Sequence, residues 1–374
     1  MRVLVVSGIW PPDSGGPASH APALAAFLRE RGNDVEVVTT ASAAPEPTGY
    51  PVRWADRSSP LRHARATALV RGAAARAEVV YATSMIRRAA LGAALARRPL
   101  VVKLVSDEAF ERARRSGRFE GTLYEFQSAG GARFRALRAT RDAALRRARH
   151  VFCPSAYLRR LALGWGLDPE RVSVLPNPAP EVPQLPPREE LRAELGLDGR
   201  LLAFAGRLGP QKSLAVALEA VAAVPGVTLA IAGDGPDRAA LERHAQELGL
   251  GERARFLGGL PRERVLRLFR AADAALLSSS WENFPHTVVE ALAVGTPVVS
   301  TAVGGVPEVV TDGENGLLVP PGDPAALADA LARLLDDDAL RERLGRAAAP
   351  SVAGLAEEAT FARIEEELLR AAAA

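Results

Sequence analysis

Short apolar runs alternate with longer segments rich in Ala, Leu and Arg along nearly the whole chain. The short runs have the length and β-branched character of buried strands, and the longer segments repeat their apolar residues with the period of a helix. This alternation predicts parallel sheets that are covered by helices on both faces. In the first half, strands are expected at 2–7, 34–39, 79–82, 100–105 and 150–154. Helices are expected there near 18–31, 62–77, 87–97 and 134–149.

A Pro-rich stretch separates this series from a second one. After an apolar run at 172–175 comes the sequence Pro176-Asn177-Pro178-Ala179-Pro180, with three more prolines before residue 190, which predicts a linker. Strands of the second series are expected at 200–205, 228–232, 254–257, 274–278, 297–300 and 316–319. Its helices are expected near 214–223, 238–248, 262–271, 285–293 and 325–335. The last amphipathic segment, 355–370, is expected either to cap the second domain or to cross back onto the first.

These patterns predict two doubly wound α/β domains in tandem. We expect an N-terminal domain at 1–178, a linker at 179–190, a C-terminal domain at 191–352 and a terminal helix at 353–374. A chain of 374 residues can bury two separate cores. A hydrophobic content of 48% with 24% charged residues excludes a disordered chain. The single cysteine, Cys153, excludes an intramolecular disulfide and a Cys-rich zinc site.

The charge of the chain is unevenly distributed. Residues 1–175 contain 28 Lys and Arg against 15 Asp and Glu, whereas residues 176–374 contain 19 against 29. A basic half can face an anionic ligand, an acidic membrane surface or nucleic acid. Aromatic residues are only 5% and do not interleave with the arginines, so nucleic acid is not expected as a partner. Because the sequence has neither a long apolar run nor the features of a secretory signal, we expect a cytoplasmic protein.

Candidate chemistry begins in the loop after the first strand. Ser14-Gly15-Gly16 precedes a predicted helix, where glycines allow close backbone approach and helix N–H groups favour an anion. A turn with positive φ explains the same pair equally simply. The loop matches neither G-x-G-x-x-G nor the P-loop pattern, so neither a standard dinucleotide site nor a P-loop NTPase is supported.

The second domain has a stronger cationic motif after its first strand. Gly206-Arg207-Leu208-Gly209-Pro210-Gln211-Lys212 would place a planar guanidinium and a compact ammonium at the start of a helix, as in a diphosphate clamp. Only two of the 47 basic residues are lysines, which makes Lys212 notable, although an exposed lysine at a helix start is common. The next strand ends in a turn with Gly233 and Gly235, which opens toward the same sheet edge.

The most informative segment runs from Glu282 to Glu290. Asn283 can cap a helix and Pro285 can occupy its first turn, so a helix is expected to begin here. With a rise of ~1.5 Å per residue, the two glutamates lie at most about 12 Å apart along the axis. Carboxylates at this separation suit hydroxyl recognition at both ends of one extended ligand, with helix N–H groups facing phosphates between them. Either glutamate alone would be read as an exposed helix charge.

Taken together, these motifs resemble the retaining nucleotide-sugar glycosyltransferases of the GT-B architecture, specifically glycosyltransferase family 4. Glu282 and Glu290 match the family's E-x7-E signature, and Gly206, Arg207 and Lys212 match its G-R-x-x-x-x-K clamp. The resemblance extends over almost the whole chain. It implies two Rossmann-like domains that face each other across a cleft, the first binding the acceptor and the second binding the nucleotide sugar.

The resemblance also implies residue roles. Glu282 would hold sugar hydroxyls and Glu290 the ribose hydroxyls, while Arg207 and Lys212 would bind the diphosphate. Leu260 would lie beside the base. The remaining donor-site candidates are Gly15, Gly16, Gly233, Gly235, Asn283, Phe284, Pro285, His286 and Thr287. No metal and no cofactor is expected, since the clamp and the helix N-terminus would neutralise the leaving diphosphate. Retention implies a front-face route in which the leaving phosphate takes the acceptor's proton.

The candidate catalytic residues are Glu282, Arg207, Lys212 and Asp107, and this chain departs from the family pattern at two places in the site. Many members have a small residue in the E-x7-E loop where this chain has Pro285-His286. Because Pro285 donates no N–H, Phe284, His286 or Thr287 would have to supply the backbone contacts to the sugar and phosphates. Many members also have an acceptor-facing His after a first-domain strand, at a position where this chain has Asp107. Its carboxylate is a candidate for orienting a sugar or acceptor hydroxyl, and a helix N-cap is the open alternative.

The resulting hypothesis is a metal-independent hexosyltransferase that uses a uridine or guanosine diphosphate sugar to make a polysaccharide, a glycolipid or a small glycoside. The expected acceptor is a saccharide, a lipid-linked saccharide or a small anionic molecule on the basic first domain, with peripheral contact to an anionic inner membrane face as an option. An anionic acceptor, or a lipid-linked saccharide at a membrane face, is suggested by seven arginines of this domain: Arg112, Arg114, Arg115, Arg118, Arg133, Arg135 and Arg138. A nucleotide-sugar epimerase and a non-catalytic nucleotide-sugar-binding module remain as alternatives.

Overall fold

The three-dimensional structure is a computed structural model. It describes residues 1–11, 16–197 and 199–373, and for 16–19 it describes the backbone alone. The chain divides into two compact units, one formed by Met1–Pro176 with Glu358–Ala374 and the other by Asn177–Glu357.

The first unit is built on a seven-stranded parallel sheet with strand order β3-β2-β1-β4-β5-β6-β7. The strands are β1 (Arg2–Val6), β2 (Asp34–Ala41), β3 (Val52–Asp56), β4 (Val79–Ala82), β5 (Leu100–Lys103), β6 (His150–Cys153) and β7 (Val172–Val174). The helices are α1 (Gly16–Glu30), α2 (Arg62–Ala74), α3 (Ile86–Ala96), α4 (Glu108–Arg115), α5 (Leu123–Ser128), α6 (Ala132–Leu145) and α7 (Ala156–Gly164). All residues of β4 and β5 are buried, as expected for a sheet with helices on both faces.

The second unit has a six-stranded parallel sheet with strand order β10-β9-β8-β11-β12-β13. Its strands are β8 (Arg200–Ala205), β9 (Val227–Ala232), β10 (Ala254–Gly258), β11 (Ala274–Leu277), β12 (Val298–Thr301) and β13 (Gly316–Val319). Its helices are α8 (Arg188–Leu195), α9 (Leu214–Ala223), α10 (Arg238–Glu247), α11 (Arg262–Ala271), α12 (His286–Ala293), α13 (Pro324–Asp336) and α14 (Asp338–Val352). The two α/β sheets confirm the predicted fold class.

The secondary-structure predictions omitted several elements. The strand β3 was not predicted, because its sequence, VRWAD, is short and only half apolar and lies at the sheet edge. The helices α4, α5, α7, α8 and α14 were also omitted. Most of these are short helices whose ends are fixed by caps: Asp107 caps α4 and Ser155 caps α7, each by accepting backbone N–H groups.

The last helix, α15 (Glu357–Ala373), packs within the first unit. Phe361 and Ile364 are fully buried in the core that also contains Trp10 and Leu24. Glu365 accepts a hydrogen bond from the Asn33 amide at 2.7 Å. Of the two placements left open by the sequence, the helix therefore adopts the one that crosses back to the first unit.

Lys103 is a fully buried lysine at the end of β5. Its Nζ donates to the carbonyl oxygens of Leu175 at 2.6 Å and Pro176 at 3.2 Å, and so ties β5 to the end of the Met1–Pro176 segment of the first unit. Burial lowers the pKa of Lys103 to about 7. The neutral amine therefore predominates in the folded protein only above about pH 7.

We expect Phe361→Ala to lower the unfolding free energy of the first unit by about 3–5 kcal/mol, because it removes a buried ring and leaves a cavity. Hydrogen–deuterium exchange of the β1 and β4 amides measures this effect. Leu369 is an exposed residue on the same helix. Leu369→Ala should change the unfolding free energy obtained from exchange by less than about 0.5 kcal/mol. Equal effects of the two variants would contradict the packing of α15.

Raising the pH should stabilise the wild type relative to Lys103→Met. Between the folded pKa of about 7 and the ordinary lysine pKa, the unfolded chain holds a proton that the folded chain has lost, so stability rises with pH in this window. Urea unfolding at about pH 6.5 and 8.5 should show a relative gain of up to about 2 kcal/mol. A pH-independent difference between the two proteins would mean that Lys103 stays charged when folded.

Candidate functional site

The candidate site lies at the carboxyl edge of the second sheet, where the strand order reverses. The strands β8 and β11 are neighbours there, and ligands of open parallel sheets bind outside such a point. The loop after β8 contains the G-R-x-x-x-x-K motif, and the loop after β11 contains the first glutamate of E-x7-E. The tertiary structure therefore brings the two motifs to one place.

Lys212 and Glu282 form an ion pair across these two loops. Lys212 Nζ lies 2.5 Å from Glu282 Oε1, and the Ser279 hydroxyl donates to the same oxygen at 2.7 Å. The Gln211 amide lies 3.4 Å from the other oxygen, Oε2. Glu282 is only 5% exposed. Its carboxylate is held in a fixed orientation by these three donors. Ser279 and Gln211 were not among the predicted site residues.

Backbone contacts join the same two loops. The Ser278 hydroxyl donates to the Lys212 carbonyl at 2.8 Å, and the Ser280 N–H donates to the Gln211 carbonyl at 2.9 Å. On the far side, the Thr301 hydroxyl donates to the Ser279 carbonyl at 2.7 Å. The loop that carries Glu282 is therefore held from both neighbouring strand ends.

Gly304 sets how closely the loop after β12 approaches Glu282. It has φ +56°, and a Cβ at this position would lie 1.6 Å from the Glu282 carbonyl oxygen. The next residue, Gly305, donates its N–H to that oxygen at 3.2 Å. A side chain at 304 would therefore displace the backbone that carries the glutamate.

Arg207 differs from Lys212 in its environment. Its side chain is exposed and, in the part of the chain that the structure describes, makes no hydrogen bond or ion pair. An unpaired guanidinium in the same loop as Lys212 is available to an anionic ligand.

Gly233 and Gly235 pack against the clamp loop. A Cβ on Gly233 would lie 1.9 Å from the Gly206 carbonyl oxygen, and one on Gly235 would lie 2.1 Å from that of Leu208. Both glycines therefore allow the β9 turn to support the loop that carries Arg207. A direct contact between either glycine and a ligand stays a prediction.

Helix α12 begins at His286, with Pro285 as its cap residue. Phe284 is buried in the core and anchors the turn before the helix, Asn283 is also buried, and Thr287 lies in the first helical turn. His286 Nε2 lies 2.9 Å from the side-chain nitrogen of Asn177, so a residue predicted as part of the linker region reaches this helix start.

Glu290 is paired with an arginine that the sequence analysis missed. Arg262 Nε lies 3.1 Å from Glu290 Oε1. Burial raises the pKa of Glu290, and the Arg262 charge opposes this shift. Arg262 is the first residue of α11, two residues after Leu260, which packs partly buried against the core. Its position directly after Leu260-Pro261 was the signal that could have identified it.

Asp107 lies in the first unit, where it is a buried helix cap. Its Oδ1 accepts the N–H groups of Ala109 at 2.9 Å and Phe110 at 3.2 Å. Its Oδ2 accepts from Gln127 at 3.1 Å and pairs with Arg141. The structure therefore shows the N-cap alternative. A direct role of Asp107 toward a substrate hydroxyl stays a prediction that this geometry disfavours, because both oxygens are already engaged.

Of the glycine pair in the first loop, Gly15 lies outside the described residues and Gly16 begins α1. Among the residues that are described, no three His, Cys, Asp or Glu side chains are grouped so that they could hold a metal ion. No helix within those ranges is long and apolar enough to cross a membrane.

Comparison with protein families gives a match for each half of the chain. Residues 15–178 match the model "Glycosyl transferase 4-like domain", and residues 187–350 match "Glycosyl transferases group 1". Among curated proteins, the chain is 40% identical over 214 residues to a D-inositol 3-phosphate glycosyltransferase of Corynebacterium glutamicum. That match covers 53% of this chain and 51% of the relative. An enzyme of the same name from Corynebacterium efficiens is 41% identical over 196 residues, covering 48% and 46%. The chain thus spans about half the length of the curated relatives it matches.

Solved structures resemble the chain over nearly its full length. Anabaena Alr3699/HepE in complex with UDP-glucose aligns with a TM-score of 0.82 and 22% identity, covering 99% of this chain and 100% of that one. WaaG, a glycosyltransferase involved in lipopolysaccharide biosynthesis, aligns with a TM-score of 0.78 and 20% identity, covering 98% and 99%. The chain therefore has the GT-B fold, and each of its two halves matches a glycosyltransferase family model.

Proposed function

We propose that this protein transfers a hexose from a uridine or guanosine diphosphate sugar to an acceptor hydroxyl, with retention of anomeric configuration. The observation that carries the proposal is the Lys212–Glu282 ion pair, which lies at the strand-order reversal beside the exposed Arg207. A cation pair and a fixed carboxylate at this edge suit a ligand that has both a diphosphate and a hydroxyl-rich sugar.

In this proposal, Arg207 and Lys212 bind the diphosphate. Arg207 supplies a planar fork for phosphate oxygens, and Lys212 supplies a compact charge from the Glu282 side. As the sugar–phosphate bond breaks, negative charge grows on the leaving diphosphate, and preorganised cations lower the energy of that state. The N-terminus of α12 adds the positive end of the helix dipole.

Glu282 then orients the sugar through its hydroxyl groups. It is held by Lys212, Ser279 and Gln211, so little further ordering is needed when a sugar binds. Retention follows a front-face route: the acceptor hydroxyl attacks the anomeric carbon on the face that the diphosphate leaves, and its proton passes to the leaving phosphate oxygen.

Glu290 is assigned to the ribose hydroxyls, and Leu260 to the neighbourhood of the base. Arg262 now occupies one oxygen of Glu290, so a bound ribose would share the carboxylate with it or replace it. The glycosyltransferase relatives support sugar transfer, and HepE, which was solved with UDP and with UDP-glucose, supports a nucleotide-sugar donor.

We assign acceptor binding to the basic first unit. A saccharide, a lipid-linked saccharide or a small anionic molecule fits its excess of arginine, and the relatives named for D-inositol 3-phosphate favour the last. Cytoplasmic location and peripheral contact with an anionic membrane stay predictions.

We expect one nucleoside diphosphate among UDP, GDP, ADP and CDP to raise the melting temperature in the presence of a chelator, and its sugar conjugate to raise it further. A ligand at ~100 times its dissociation constant adds about 2.7 kcal/mol to stability. Differential scanning fluorimetry measures this shift without an acceptor. Stabilisation that appears only after a divalent cation is added would contradict metal independence, and no shift at millimolar ligand would favour a module that does not bind nucleotide sugars.

Glu290→Ala and Glu282→Ala should have different effects on donor binding. Glu290→Ala should weaken the free nucleoside diphosphate by about tenfold or more, because it removes a charged acceptor of the ribose hydroxyls. Glu282→Ala should leave the affinity for the free diphosphate unchanged, because Lys212 then has no competing carboxylate and stays available to the phosphates. It should abolish the extra affinity that the sugar contributes. Isothermal titration with diphosphate and sugar conjugate measures both effects. Glu252→Ala, an exposed glutamate of the same unit, is the control.

Equal losses in the two variants would contradict the assigned roles. Product analysis after adding acceptors then separates transfer from the alternatives, because an epimerase would change the sugar without forming a glycoside and a binding module would form no product.

A further inference from the structure

A cavity of about 380 Å³ lies on the first unit between α3, α4 and α6. This volume falls within the range of small-molecule sites. Four arginines line it: Arg87 and Arg88 from α3, Arg112 from α4 and Arg147 just after α6. Glu108 is the one carboxylate among the described lining residues. Even when it is ionised, the lining retains an excess of positive charge.

Three of these arginines lack a protein partner. Across the residues that the structure describes, the side chains of Arg87, Arg112 and Arg147 make no hydrogen bond and no ion pair. By contrast, Arg141, which lies within α6, pairs with the carboxylates of Asp107 and Asp142. Glu108, whose pKa is raised by burial although the Arg87 charge opposes this shift, offsets only part of the positive charge of the lining. An anion in the cavity would therefore relieve the remaining repulsion between the arginines.

The two remaining charged groups are held in place at the cavity wall. Arg88 is bonded to the His63 ring, and burial and the neighbouring Arg87 lower the pKa of its guanidinium. Glu108 accepts the Ile86 N–H at 3.4 Å, and burial raises the pKa of its carboxyl. Arg88 and Glu108 are therefore fixed polar groups of the cavity wall, whereas the other three arginines remain available to a ligand.

Apart from Thr140, the rest of the lining is apolar. Met85, Leu91, Ala143 and Ala144 contribute it, and Leu91 is 43% exposed. Met85 lies in the loop after β4, and a Cβ on Gly8 in the loop after β1 would lie 3.4 Å from its Cγ. The cavity thus starts at the carboxyl edge of the first sheet, and it suits a ligand with an anionic group and a less polar body.

We propose that this cavity is a binding site for a small phosphomonoester whose phosphoryl group is held by Arg87, Arg112 and Arg147. Guanidinium forks bind phosphate oxygens in a bidentate manner, and three forks match a dianion with three terminal oxygens. The site uses none of the donor-site residues, but it lies on the unit to which acceptor binding is assigned above, and in that respect it rests on the proposed function. The phosphomonoester is either a free molecule or a lipid head group.

The test is isothermal titration of the full chain with glycerol 1-phosphate in a buffer free of phosphate and sulfate. Arg112→Gln/Arg147→Gln should bind at least about tenfold more weakly than the wild type. The matched control is Arg115→Gln/Arg146→Gln, which removes the same charge from exposed positions near the same helices but outside the cavity lining. It should bind like the wild type. Circular dichroism without ligand checks that both variants are folded.

A third variant, Arg207→Gln/Lys212→Gln, separates this site from the donor clamp. Binding that persists in this variant and is lost in Arg112→Gln/Arg147→Gln supports the cavity. Binding that is lost in the clamp variant but kept in the cavity variant would overturn the proposal.

Vesicle sedimentation identifies the source of the phosphoryl group. Vesicles of phosphatidylcholine with phosphatidic acid are compared with phosphatidylcholine alone, using the cavity variant and its charge-matched control. Retention by phosphatidic acid that only the cavity variant loses would assign the site to a lipid head group, whereas glycerol 1-phosphate binding without such retention would assign it to a free molecule. Equal behaviour of the two double variants in both assays, or no binding of either probe, would overturn the proposal.

Discussion

The arrangement of the second unit depends on the pairing of β8 with β11, two strands that are separated in sequence by β9 and β10. The helices that follow these two strands lie on opposite faces of the sheet. Leu214 and Leu218 of α9 are buried in one core, whereas Val288 and Leu292 of α12 are buried in the other. The two loops leave neighbouring strand ends and are joined by hydrogen bonds, and this brings Lys212 to Glu282. Without the reversal of strand order, the two motifs would lie at separate strand ends.

The site is supported by packing constraints that are stricter than its polar contacts. Gly304 and Gly233 each lie where a Cβ would meet a backbone oxygen at under 2 Å, so both loops depend on the absence of a side chain. Ser279 and Gln211 then fix the carboxylate of Glu282 within this backbone frame. Such a preorganised carboxylate suits a proposed role that consists of positioning and charge stabilisation rather than covalent attack.

The first unit uses its charged residues in two different ways. Asp107, Arg141 and Gln127 form a buried network in which the charges are paired, and Trp165 covers the guanidinium of Arg141 at 3.7 Å from the ring centroid. Arg112 and Arg147, in contrast, line a cavity and, among the described residues, form no ion pair. The excess of basic residues in the sequence is therefore not spread evenly over a solvated surface. Part of it is structural, and part of it is available to an anion.

The amino-acid sequence by itself determined the fold class and the positions of most strands, because a buried parallel strand needs a continuous apolar run and its helix needs an apolar period. It also made Arg207, Lys212, Glu282 and Glu290 candidates for a donor site, since the spacing of these motifs is local and follows predicted strand ends. Only the tertiary structure decided the partners of these residues. Arg262 is distant in sequence from Glu290, and Asp107 could cap a helix or face a ligand until Arg141 and Gln127 were seen to occupy its second oxygen. Likewise, α15 had an amphipathic face that fitted either unit, and the buried contacts of Phe361 show which one it joins. Local patterns define what a segment can form, whereas strand order and long-range packing determine which side chains meet.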